Sequence, residues 1–208
     1  MRLYLIVEFI ALFWLLPLLY VLGYLPLPVI PTLLLVTVVC CVILFCDKEF
    51  DRTRLWRAGA LSKVLLPLFG FFAIGALALA ALVYLREPDR LFDLPYHKPA
   101  IYLSILCLYP IISVYPQELV YRAFFFRRYE PIFPRERMLV WMSALAFGWM
   151  HIVFENVLAV ALTLIGGFLF SRTYLRTRSL FCVGLEHSLY GCFIFTIGLG
   201  RYFFSGTL

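Results

Sequence analysis

Seven apolar runs separated by short polar loops follow one another along this chain, at about residues 3 to 22, 28 to 46, 64 to 85, 99 to 126, 138 to 155, 157 to 171 and 179 to 200. A helix crosses a bilayer with ~20 apolar residues, and most of the runs reach that length. Lipid offers the backbone no hydrogen-bond partner, so a spanning segment must be a helix or part of a closed barrel. The runs are continuous in Leu, Val and Phe rather than alternating, which argues against a barrel. With 64% hydrophobic and only 14% charged residues, the chain is too apolar for a soluble domain. We therefore expect an all-α polytopic membrane helical bundle with about seven transmembrane helices. It forms one membrane domain, with N-terminal helices over 1–98 and a core over 99–208. The first run follows a single Arg2 and has no small-residue cleavage site behind it, so it reads as a retained helix.

The basic residues orient the bundle. Loops 47–63, 127–137 and 172–178 carry five, four and three Lys or Arg, whereas loop 86–98 carries three balanced by three acids. Cytoplasmic loops are the ones enriched in Lys and Arg, so the N-terminus is expected inside and the C-terminus outside. Arg172, Arg176 and Arg178 read as anchors of a cytoplasmic turn. The net charge of +6 is scattered over short loops and forms no long basic run, so we expect no nucleic-acid partner. The six cysteines sit in or beside apolar runs without zinc-like spacing and read as small buried hydrophobes. Pro17, Pro67 and Pro110 fall inside runs and are expected to kink them. Gly166 and Gly167 are expected to let helices pack closely.

Against this apolar background stand Gln117, Glu118 and Arg122, then His151, then Glu186 and His187. An ionisable side chain near a membrane helix centre costs at least ~2.5 to 3.5 kcal/mol on insertion scales, so such a set calls for a function. Residues four apart share a helix face, which pairs Glu118 with Arg122, Phe147 with His151, and His187 with Gly191. Counted at ~1.5 Å per residue from the cytoplasmic loops, Glu118, His151 and His187 lie roughly 12 to 20 Å deep. A carboxylate and two histidines at similar depth can take a proton from water and donate to a developing oxyanion, the requirements of peptide-bond hydrolysis.

The order Gln117-Glu118-x-x-x-Arg122, Phe147-x-x-x-His151 and a last His187 in a C-terminal helix resembles the CPBP family of CAAX-protease and bacteriocin-processing (Abi) intramembrane proteases. The resemblance covers about residues 99 to 200. It implies a metal-independent, glutamate-type protease in which Glu118 is base or essential support, His151 pairs with the water, His187 stabilises the oxyanion, and Arg122 fixes the carboxylate. Two positions depart from the family pattern. Gln117 stands where the family has its first glutamate, and Gly191 where it has Asn or Asp.

Glutamine cannot act as a general base, so the role must pass to Glu118, Glu186 or Glu155, the last four residues after His151, or else be lost. Asn156 and Phe147 are further candidates for support of the site. The expected function is hydrolysis of a peptide bond in a membrane-associated or lipidated protein, without a cofactor. A zinc ion at His151 and His187 is the competing cofactor reading. The alternatives are a catalytically inactive relative that binds a membrane partner, and a small transporter, against which the lack of inverted repeats weighs. The expected location is a bacterial cytoplasmic (inner) membrane.

Overall fold

The computed structural model describes residues 2–203; the single N-terminal residue and the last five of the expected core 99–208 lie outside the described residues. Helices dominate, and there is no strand among the described residues. Among the described residues, six helices are long and apolar enough to cross a membrane: α1 (Arg2–Val21), α2 (Val29–Cys46), α3 (Leu65–Arg86), α4 (Pro99–Arg128), α5 (Glu136–Phe154) and α6 (Val157–Thr177). A seventh, α7 (Leu180–Thr196), is apolar but shorter. The protein is a polytopic helical membrane bundle.

The run that looks shortest in sequence, 157 to 171, is a helix of 21 residues. It continues past Arg172 because its polar residues have partners inside the protein. Ser171, Thr173 and Thr177 are buried, the Thr177 hydroxyl donates to the Thr173 carbonyl at 2.7 Å, and the Arg172 guanidinium lies over the Phe168 ring. Hydropathy counts such residues as loop, whereas packing keeps them helical. The stop comes at Arg178, in the left-handed conformation, whose N–H donates to the Tyr174 carbonyl. Ser179 then caps α7 by accepting from the Cys182 N–H.

The prolines act differently from one another. Pro110 opens a π-helical turn, Pro110–Val114, and Pro17 lies two residues after the end of another, Ala11–Leu15. A third such turn, Leu119–Phe124, follows Glu118. Widened turns of this kind re-aim the side chains around them and are frequent at functional sites. Pro67 does not kink its helix: it sits in the first turn of α3, where amide groups have no acceptor within the helix.

Helices α5 and α6 form a tight hairpin. Glu155 takes a left-handed conformation with φ of 52°, and the Asn156 side chain caps α6 by accepting from the Ala159 N–H at 3.1 Å. Gly148 and Gly167 allow the close approach: a Cβ at Gly148 would overlap Leu164, and one at Gly167 would lie 3.1 Å from the Ala144 carbonyl oxygen. Replacing Gly148 with Ala should therefore cost ~1 to 3 kcal/mol, the usual range for overpacking. Thermal unfolding in detergent reads the loss, with Gly70→Ala as control because a Cβ there meets nothing within 4 Å.

The loops assigned to one side of the membrane gather at one end of the bundle. Arg127 holds Asp47 and Glu49, Arg128 holds Glu8, Arg178 reaches Glu136, and the Ser179 hydroxyl donates to the Arg57 carbonyl. Hydrogen bonding from the Arg127 guanidinium holds the Asp47 carboxyl below the usual carboxylate range. At the opposite end Arg201 pairs with Glu87. Segment 47–63 is more than a connection: Phe50 and Leu55 are buried, and the Tyr115 hydroxyl on α4 donates to the Leu55 carbonyl at 2.6 Å.

Candidate active site

Helix α4 supplies most of the site. Gln117 and Glu118 are neighbours in sequence but point about 100° apart around the helix, the turn per residue of 3.6-residue geometry. Gln117 lines a large apolar cavity of about 1050 Å³, together with Tyr109, His151 and His187. Glu118 points away from it and is fully buried. No Asp or Glu among the described residues lines that cavity.

Glu118 is instead a structural hub. One carboxylate oxygen accepts from His187 Nδ1 at 2.8 Å, and the other lies 3.2 Å from Arg122 Nε. Since Nδ1–H must be the donor to a carboxylate, this contact fixes the His187 tautomer. Arg122 is also fully buried; it donates to the Ser143 hydroxyl at 3.0 Å and to the Tyr121 carbonyl at 3.2 Å. Its guanidinium lies over the Phe147 ring at 4.9 Å, a cation–π contact in a desolvated setting. Ser143 in turn donates to the Tyr121 carbonyl and receives from Ser171, so α4, α5 and α6 are tied together beneath the site.

His151 ends the regular part of α5. Its Nδ1 is 2.8 Å from the Phe147 carbonyl, to which only an N–H can donate, so in the neutral imidazole Nε2 is the unprotonated ring nitrogen of a side chain on the cavity wall. Phe147 packs against both imidazoles, with ring centroids 4.8 Å from His151 and 5.5 Å from His187. Phe170 stacks on His187 at 4.6 Å. The Gln117 amide donates to the Ser113 hydroxyl at 2.8 Å, while its carbonyl oxygen is buried with no protein partner.

The structure thus brings together Gln117, Glu118, Arg122, Phe147, His151 and His187, with Gly191 on the cavity wall. It keeps three other candidates off the cavity wall. Glu155 is exposed, because the chain leaves α-helical geometry between His151 and Glu155 and the expected four-residue face does not exist. Asn156 is engaged as a helix cap. Glu186 is buried on a different side of α7, in a small void beside Arg172 and Arg176. Sequence reasoning missed Tyr109, Ser113, Ser143 and Phe170. Only Ser113 carried a signal, its four-residue spacing from Gln117; the others are ordinary residues in apolar runs.

Metal binding has no gathered ligand set: among the described residues, no three His, Cys, Asp or Glu side chains stand close enough together to hold an ion. His187 has both ring nitrogens engaged by protein groups, Glu118 on one and Tyr109 on the other.

Residues 99–193 match the family described as type II CAAX prenyl endopeptidase Rce1-like. Over that segment, somewhat under half of the chain, the protein is similar to the CAAX-protease family. The CAAX-protease-like segment holds all of α4, α5 and α6 and most of α7, and so every polar side chain brought together above. Helices α1 to α3 lie outside it. No curated protein and no solved structure matches the chain.

Proposed function

We propose that this protein hydrolyses a peptide bond of a membrane-associated or lipidated protein at its cavity, with His151 as the base that activates water. The observation supporting this most is the convergence of Gln117, His151 and His187 on one cavity wall, each histidine having its Nδ1 tied to the protein. In the proposed reaction the water oxygen attacks the peptide carbonyl carbon while one water proton passes to His151 Nε2. The negative charge that develops on the carbonyl oxygen is met on the His187 side of the cavity. The C–N bond then breaks, and the proton on His151 passes to the departing amine.

Glu118 in this scheme holds His187 and takes no proton from water, and Arg122 holds Glu118. The Gln117 carbonyl oxygen, without a protein partner, is an acceptor for the attacking water. The apolar wall suits an acyl or isoprenoid chain, or the side chains of a membrane peptide. Short loops and long apolar helices fit a bacterial cytoplasmic membrane.

A second reading, a non-catalytic relative that binds such a peptide, is favoured by one observation: no carboxylate lines the cavity among the described residues. Gln117→Glu separates the two. If His151 is the base, purified wild-type protein cleaves, and Gln117→Glu changes its rate by less than about tenfold. A gain of ~10² or more from an inert wild type, the usual worth of a general base, would favour the second reading.

A further inference from the structure

Position 191 and Tyr109 occupy the same space. Gly191 lies one helical turn beyond His187 on α7, and a Cβ there would overlap the ring and hydroxyl of Tyr109 on α4. The absence of a side chain at 191 is what lets the phenol reach His187, where its hydroxyl lies 3.2 Å from Nε2. The two rings meet nearly edge to face, at 83°, and with Nδ1–H given to Glu118 the hydroxyl is the donor to Nε2. Phe195 packs against the other part of the phenol ring, with centroids 5.5 Å apart.

We propose that Tyr109 is a positioning residue for His187, filling the place that a side chain at position 191 would otherwise take. The result is a chain of three groups, Glu118 carboxylate to His187 imidazole to Tyr109 phenol, with its outer end on the cavity wall. Each end fixes one ring nitrogen, while Phe170 stacked on the ring fixes its plane. One proton is shared between Nε2 and the phenol oxygen. With the Nδ1–H given to Glu118, that proton is the one hydrogen of the pair that can turn to a developing oxyanion, so Tyr109 and His187 act there together. The kinetic part of this inference rests on the hydrolase reading; the structural part stands without it.

The chain has only three histidines, so nitrogen resonances of 15N-histidine-labelled protein in micelles can be assigned with His→Ala variants. Tyr109→Phe keeps the ring and removes the hydroxyl, and it should move the His187 Nε2 resonance while leaving those of His97 and His151 in place. Gly191→Ala, which displaces the phenol, should move the same resonance. Loss of one hydrogen bond to the working imidazole should lower kcat about five- to tenfold with KM little changed. An unmoved His187 resonance in Tyr109→Phe would overturn the proposal whatever the activity, as would a moved resonance with unchanged kcat. Should neither wild type nor Gln117→Glu cleave any peptide, the hydrolase reading fails, and the resonance shift alone decides whether Tyr109 positions His187.

Discussion

His151→Ala should lower peptide cleavage by 10² to 10⁴-fold, the range by which a positioned general base accelerates a reaction. The reason is geometric. Of the ionisable side chains near the cavity, Glu118 is occupied by His187 and Arg122, and His187 is held at both nitrogens, whereas His151 keeps Nε2 free. The loss should fall on kcat, because the cavity's binding surface is built from apolar side chains on every helix and changes little. Stability should fall by only ~1 kcal/mol, since the substitution removes one hydrogen bond to the Phe147 carbonyl. Single-turnover cleavage and thermal unfolding of the same preparation check both halves. A rate loss that tracks unfolding, or a large rise in KM, would move His151 from chemistry to architecture.

Arg122→Leu should have the largest effect on folding. The pair it breaks is wholly buried, and removing one partner leaves the Glu118 carboxylate without its cation; such losses typically reach ~3 to 5 kcal/mol. The hydrogen bonds to Ser143 and to the Tyr121 carbonyl and the contact over Phe147 disappear as well. Because the main penalty is the unpaired charge, Glu118→Gln combined with Arg122→Leu should be more stable than Arg122→Leu alone. Denaturant or thermal unfolding in a defined detergent measures this ordering. Equal stability of the single and double variants would mean that the pair is not the source of the penalty.

The class of fold was legible because lipid restricts a chain to few solutions: long apolar runs without alternation must be helices. The boundaries were less so, and α6 shows why. Hydropathy ends the run at residue 171, but Ser171, Thr173 and Thr177 are satisfied inside the bundle and the helix runs on to Thr177. The site divides in the same way. Glu118, Arg122, His151 and His187 stand out in sequence because charge in an apolar run is costly. Which of them faces the cavity depends on rotation about the helix, and that put Gln117 on the wall and Glu118 behind it. Glu155 was misplaced because a four-residue spacing means a shared face only while the helix lasts, and the chain turns left-handed at Glu155 itself. Tyr109 had no signal of its own, since its role depends on an empty space at Gly191 that only the packing of α4 against α7 reveals.

The most direct test of the account is the digestion of a defined set of membrane peptides, prenylated and unmodified, by purified wild-type protein in detergent with a metal chelator present. Mass spectrometry would identify the products beside those of His151→Ala. The account predicts a discrete cleavage product from wild type that persists with the chelator and is lost in His151→Ala. Cleavage only by Gln117→Glu, or cleavage that survives in His151→Ala, would contradict it.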